Sequence, residues 1–178
     1  KTIPTIVEFV DIAGLVKGAH EGEGLGNQFL SHIRETQAIC QVVRCFEDSE
    51  VVHVEEVLDP VRDIETINTE LLLKDLETVR KRREREKEKE KEEILQDLQN
   101  ALNKGVFARD FLEQHPKAGG MMKELQLLTA KPVFYACNAN GEKLPAALRS
   151  FFLAKHASFV VLNMKEERLT TNPNTWPW

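Results

Sequence analysis

The residues best placed to do chemistry lie between Val7 and Arg34, in the string VEFVDIAGLVKGAHEGEGLGNQFLSHIR. Val7, Phe9, Val10 and Ile12 are strand-forming apolar residues, and Asp11 falls where that predicted buried strand gives way to a loop. Gly14, Gly18, Gly22, Gly24 and Gly26 follow, a density that regular structure does not tolerate. Glycine lets the backbone approach a ligand closely, and in open α/β folds ligands sit beyond the carboxyl ends of the strands. An Asp at such an end, followed by Ala13-Gly14, suits a carboxylate that holds Mg²⁺ through water while a glycine amide meets a terminal phosphate. The plainer alternative is a glycine-rich turn between a strand and a helix, with no ligand.

Other candidate constellations are thin. Cys40, Cys45 and Cys137 lie in apolar, strand-like surroundings without metal-ligand spacing. An odd number of cysteines in such contexts reads as buried, reduced thiols of a cytoplasmic protein. His20, His32, His115 and His156 are scattered and read as surface residues, and Glu21 and Glu23 read as solvated acids in the glycine loop. No Gly-x-Ser-x-Gly string occurs, nor does the G-x-x-x-x-G-K-[ST] loop whose amides and lysine cradle phosphates.

The elements that must position these residues alternate between strand and helix. After the glycine loop the spacing of Phe29, Leu30, Ile33 and Ile39 predicts a helix over Asn27 to Ala38. Gln41 to Phe46 reads as a buried strand, Val51-Val52-His53-Val54 follows, and Asp59-Pro60 marks a turn. Ile64, Ile67, Leu71, Leu72, Leu76 and Val79 define one side of a helix over Arg62 to Val79. Arg80 to Glu93, RKRREREKEKEKEE, contains only charged helix formers and predicts a solvent-projecting continuation. Ile94, Leu95, Leu98 and Leu102 restore an apolar stripe, so residues 71–128 read as a helical hairpin with its tip around Gly105 to Gly120. Lys131 to Asn138 reads as a core strand, Leu144 to Lys155 as a helix, Ser158 to Leu162 as a last strand, and Thr170 to Trp178 as a frayed tail.

The chain has 178 residues, enough for one domain with a core. Its formal net charge of -5 gives no global bias toward nucleic acid. No apolar run is long enough to cross a bilayer and no signal peptide is evident, so no membrane partner is expected and the location is read as cytoplasmic.

Taken whole, Asp11-Ile12-Ala13-Gly14-Leu15-Val16-Lys17-Gly18-Ala19, then Gly22-Glu23-Gly24-Leu25-Gly26-Asn27-Gln28-Phe29-Leu30 and Ile33-Arg34-Glu35, resembles switch II of the Obg-related P-loop NTPases. The string is most similar to the YchF subfamily, the Obg-like ATPases. That resemblance implies an α/β fold, a Rossmann-like three-layer G-domain sheet, with a coiled-coil hairpin inserted where the periodicity also places one. It divides the chain into a partial G domain (1–70 and 129–169), the hairpin (71–128) and the tail (170–178), with the phosphate loop and the C-terminal TGS domain absent. The chain thus reads as a family member truncated at its N-terminus.

The resemblance also implies roles. Asp11 would hold Mg²⁺ through water, Gly14 would sense the γ-phosphate, and Asn138 with Ala139 would contact the base of ATP or, less favourably, GTP. Leu15 takes the place of the water-orienting glutamine of Ras-like enzymes, and His53 matches the downstream histidine proposed to act instead; an ordinary hinge histidine is the alternative. The acidic residue of the family's Asn-x-x-Glu base motif is replaced here by Gly141, with Glu142 one residue late, and Asn163-Met164-Lys165 replaces the small residues after the last strand. Asn138 could equally be a strand-end turn residue. The implied function is nucleotide hydrolysis tied to the ribosome or translation, inactive here for want of the phosphate cradle. The alternative is a non-enzymatic module that meets RNA, ribosome or protein through the 80–93 arm, and that arm could also be a solvated spacer.

Overall fold

The computed structural model describes residues 6–10, 25–46, 58–141 and 143–163, so Asp11, Gly14, Leu15 and His53 lie outside the described residues. Helix α1 (Leu25–Glu35) leads to strand β1 (Ile39–Arg44), and four helices follow: α2 (Pro60–Arg83), α3 (Lys89–Asn103), α4 (Ala108–Gln114) and α5 (Gly119–Leu125). Strand β2 (Val133–Asn138), helix α6 (Ala146–Ala154) and strand β3 (Ser158–Leu162) complete the order, with short 3₁₀ turns at Pro116–Ala118 and Leu128–Ala130. The strands form a parallel sheet in the order β1-β2-β3. Among the described residues, no helix is long and apolar enough to cross a membrane.

Register puts Val43 beside Cys137 and Val161, and Gln41 beside Tyr135 and Phe159. This face carries the sheet core, where Leu148 and Phe152 of α6 and Ile64 of α2 pack on Val43, Tyr135 and Cys137. Phe152 stacks on Phe159 with ring centroids 4.7 Å apart. The opposite face bears Val42, 62% exposed, and Val160, 43% exposed, flanking Ala136.

A second core belongs to the helices alone. Leu76 and Val79 of α2 meet Leu95, Leu98 and Leu102 of α3, and Phe111, Met122 and Leu125 close it below. A third, small cluster joins α1 to both: Leu30 and Ile33 pack on Leu71 and Leu128.

Ile39, read on the first helix, instead opens β1, which ends at Arg44 rather than Phe46, and three further expectations change. Residues 6–10 are not a buried strand: Ile6 is 95% and Phe9 74% exposed, and no described strand pairs with them. Strand propensity does not suffice without a ladder partner for the backbone groups. Asp59-Pro60 is not a free turn but a helix start, because the Asp59 carboxylate accepts the Arg62 N–H at 3.1 Å and Pro60 opens α2. The chain reverses at 84–88, inside the charged run, rather than around Gly105 to Gly120. There α3 ends in a Schellman turn instead: Gly105, at φ +78, donates to Leu102 and Val106 donates to Ala101.

Asp75 ties the helical core to the sheet. It is fully buried, and its carboxylate accepts the Leu128 and Thr129 N–H groups at 2.8 Å each and the Thr129 hydroxyl at 2.6 Å. Thr129 Oγ1 in turn accepts the Ala108 N–H at 3.1 Å, holding the start of α4. Burial pushes the Asp75 carboxyl up, while the Thr129 and Leu128 hydrogen bonds and the Arg34 charge pull it down. Asp75→Ala strands two buried N–H donors and should destabilise the fold by about 3 kcal/mol in chemical denaturation. A change below about 1 kcal/mol would show that the contact is dispensable.

Candidate functional site

The carboxyl ends of the three parallel strands align Arg44, Asn138 and Leu162 side by side. Two hydrogen bonds extend the ladder past them. Cys45 N–H donates to the Asn138 carbonyl at 2.8 Å, and Ala139 N–H donates to the Leu162 carbonyl at 2.9 Å. Asn138 and Ala139 are therefore fixed by neighbours on both sides, and Ala139 is buried. This is the edge of a parallel α/β sheet where ligands bind.

Beyond Ala139 the chain turns through Gly141 at φ +114 with nothing within 4 Å of where a Cβ would stand. Only glycine adopts that conformation without strain. Any side chain at position 141 would be strained in this conformation, although there is room for one. Asn163, just after β3 and beside this loop, has a buried Oδ1 with no hydrogen-bond partner among the described residues. The sequence marked Asn163 only as a departure from the family's small residues; an orphaned acceptor has no signature in sequence. Arg44 also escaped notice. Its Nε donates to the Phe46 carbonyl at 3.0 Å, and its guanidinium lies 5.2 Å from the Phe46 ring centroid.

Burial disfavours the thiolate form of all three cysteines. Burial pushes Cys45 up to about 12, helped by the neighbouring Cys137, and burial raises Cys40 and Cys137 as well. His32, His115 and His156 are exposed as expected, with His115 stacked on Phe111 at 4.0 Å. Among the described residues no group of three or more His, Cys, Asp or Glu could hold a metal ion. The one metal ligand expected, Asp11, lies outside them.

The helix that follows the glycine loop is anchored at its far end. Lys131 Nζ donates to the Arg34 carbonyl at 3.0 Å and also to the Thr36 carbonyl, satisfying the C-terminus of α1. Arg34 donates to Thr78 Oγ1 of α2 at 2.8 Å. Structure therefore joins α1 to the root of the hairpin, a connection that local sequence patterns do not reveal.

A parallel α/β sheet with a polar loop at its carboxyl edge is the G-domain architecture of P-loop GTPases, and the comparisons with known proteins agree. The family described as 50S ribosome-binding GTPase matches residues 2–104. The ribosome-binding ATPase YchF of Bacillus subtilis (strain 168) is 45% identical over 186 residues, spanning 94% of this chain and 50% of the relative. Obg-like ATPase 1 of Oryza sativa subsp. japonica is 41% identical over 165 residues, 87% of this chain and 42% of that protein. The solved structure of the Schizosaccharomyces pombe YchF GTPase superposes with a TM-score of 0.56 at 32% identity, covering 84% of this chain and 46% of that one. The chain belongs to the 50S ribosome-binding GTPase family, and within it is homologous to the YchF and Obg-like ATPases. It spans half or less of the length of these relatives.

Gly141→Ala should destabilise the fold by about 1–2 kcal/mol in equilibrium denaturation, because alanine pays for the positive φ. Gly120→Ala, in the helix α5 and equally open, should instead be neutral or stabilise by up to about 1 kcal/mol. Equal effects at the two positions would remove the conformational explanation for Gly141.

Proposed function

We propose that this chain is part of a nucleotide-binding NTPase of the YchF type that prefers adenine to guanine nucleotides and works in association with the ribosome. The observation that carries the preference is Gly141 at φ +114. Guanine recognition in the wider class uses a carboxylate that accepts from N1 and N2, and this loop offers no side chain at the corresponding position. Asn138 and Ala139, fixed between Cys45 and Leu162, remain to meet the base. Asp11 would hold Mg²⁺ through water, Gly14 would sense the γ-phosphate, and His53 would stand in for the catalysis that Leu15 cannot perform. Residues 1–70 and 129–169 would form the partial G domain and 71–128 the inserted hairpin, followed by 170–178.

The sequence contains no G-x-x-x-x-G-K-[ST] string. Much of the phosphate binding energy and a Mg²⁺-ligating hydroxyl come from that loop. This chain by itself should therefore bind nucleotide weakly and turn it over far below the rate of its longer relatives. Calorimetric titration of Mg²⁺ with ATP and with GTP into the folded chain tests both parts. The expected result is affinity weaker than about 100 μM, with ATP ahead of GTP. Micromolar binding would overturn the role given to the missing string, and a GTP preference would overturn the base assignment.

A second reading, a non-enzymatic module that meets RNA, ribosome or protein through the charged arm, is favoured by one feature. Arg80, Arg85, Lys87 and Lys89 are exposed at the hairpin end, beside a 330 Å³ groove lined by Arg80, Arg83, Glu84, Glu92 and Gln99. Several neighbouring cations are already neutralised: Lys81 pairs with Glu77, Arg82 with Glu86 and Arg83 with Glu92. Reversal of Arg80, Lys81, Arg82 and Arg83 to Glu should abolish any salt-sensitive binding to ribosomes in co-sedimentation. Unchanged sedimentation would leave the arm a spacer.

A further inference from the structure

The reversal of the hairpin is made of the wrong residues for a permanent turn. Glu84, Arg85, Glu86, Lys87 and Glu88 include no Gly, Pro, Asn, Asp or Ser, the residues that stabilise turns. All five are Glu, Arg or Lys, which are good helix formers. Elsewhere the chain stops a helix with the usual device, Gly105 at φ +78 after α3. Here α2 meets no such stop: Glu84 is still right-handed helical at φ -58, ψ -24. Nor is α3 begun by a cap, since the Glu88 side chain makes no capping hydrogen bond.

The turn is held by two backbone bonds, Arg85 N–H to the Arg82 carbonyl at 3.2 Å and Glu86 N–H to the Arg83 carbonyl at 3.1 Å, and by a single carboxylate. Glu86 Oε1 accepts the Lys87 N–H at 3.0 Å and the Glu88 N–H at 3.1 Å, while Arg82 pairs with the other oxygen at 2.6 Å. Arg82 and Glu86 are spaced i,i+4, so their ion pair would survive in a straight helix. The side-chain contacts specific to the bent form are the two that the Glu86 carboxylate makes with the backbone, and the i→i−3 bonds of Arg85 and Glu86 would become i→i−4 bonds in a straight helix. The contacts across the hairpin do not depend on chain connection at the tip either. Arg83 reaches Glu92 at 2.8 Å and Gln99 at 2.7 Å, and Leu76 and Val79 pack on Leu95, Leu98 and Leu102. A second copy can supply every one of them.

We propose that residues 84–88 are a hinge at which two copies of this chain exchange halves. In the exchanged form α2, hinge and α3 run as one helix over 60–103, about 66 Å long. Two such helices lie antiparallel, so that α2 of each copy packs on α3 of the other. The elements after α3 travel with it, and β2, α6 and β3 seat against β1 of the other copy. The Asp75–Thr129 and Lys131–Arg34 contacts are likewise re-made between chains. Each half keeps its native neighbours, the hinge exchanges its two i→i−3 bonds for helical ones, and the Glu86 carboxylate loses its two. Such exchange needs no new interface, which is what makes a short hinge a route to dimers.

The test is the mass of the full chain by light scattering after unfolding and refolding at low and high concentration, with circular dichroism confirming helix content. The wild-type chain should give a dimer whose share rises with refolding concentration and which dissociates slowly on dilution. Glu86→Ala removes the side-chain contacts particular to the bend and should raise the dimer-to-monomer ratio about fivefold. A Gly-Asn-Gly insert between Arg85 and Glu86 should lower it about tenfold, since a flexible loop favours the closed monomer and breaks the long helix. Copies carrying different tags should form hybrids when refolded together and not when mixed native. A chain that stays monomeric at every concentration, with Glu86→Ala as well, overturns the proposal. So does a dimer whose share ignores both hinge changes, because that dimer would use another surface.

Discussion

The fold turns on one buried carboxylate. Asp75 sits in the middle of α2 and receives three hydrogen bonds from Leu128 and Thr129, which lie just before β2. A charge in that position costs desolvation, and only a full set of donors offsets it. Because the donors come from a 3₁₀ turn and not from a regular element, Asp75 dictates where the helical region ends and the sheet resumes. Thr129 passes the constraint on to α4 through Ala108. Burial pushes the amine of Lys131, two residues further along, below its usual range, the Asp75 charge offsets part of that, and Lys131 closes the C-terminus of α1. The sheet, the helical core and the helix after the glycine loop thus share one junction.

That junction separates two kinds of core. Around the sheet, aromatic rings fill the face: Tyr135, Phe152 and Phe159 contact one another in sequence across β2, α6 and β3. In the hairpin the packing is leucine against leucine, with Phe111 and Met122 at its base. Leu71 and Leu128 belong to neither and bridge to α1. A ligand-dependent shift in the glycine loop would meet the hairpin at its root, through Leu30, Ile33 and Arg34, before it met the sheet core.

Periodicity located the regular elements well where one face is buried. The stripe from Ile64 to Val79 marked α2, and its ends moved only because Asp59 and Pro60 act as a start and because charged residues extended it to Arg83. The strands Val133–Asn138 and Ser158–Leu162 were legible as apolar runs bounded by polar loops. Residues 6–10 misled for the converse reason: their composition suits a strand, but pairing is a long-range property. The tip of the hairpin was misplaced because glycines drew it to 105–120, whereas a side chain, Glu86, helps to hold the bend. Of the site, the string from Asp11 to Glu35 carried the family on its own. The fixing of Asn138 and Ala139 by Cys45 and Leu162, and the lone acceptor of Asn163, depend on neighbours distant in sequence and were out of reach.

The register of the sheet has a consequence for how the chain acquires its shape. β1 pairs with β2 across the whole hairpin, Ile39 opposite Val133, and Lys131 meets Arg34 over a separation of 97 residues. Arg83 and Gln99, by contrast, are 16 apart. Loop closure makes the distant pairings slow and the near ones fast. The hairpin is therefore the part of this chain that can assemble early. Its completion brings the start of β2 back within reach of β1, which shortens the closure that the sheet itself needs.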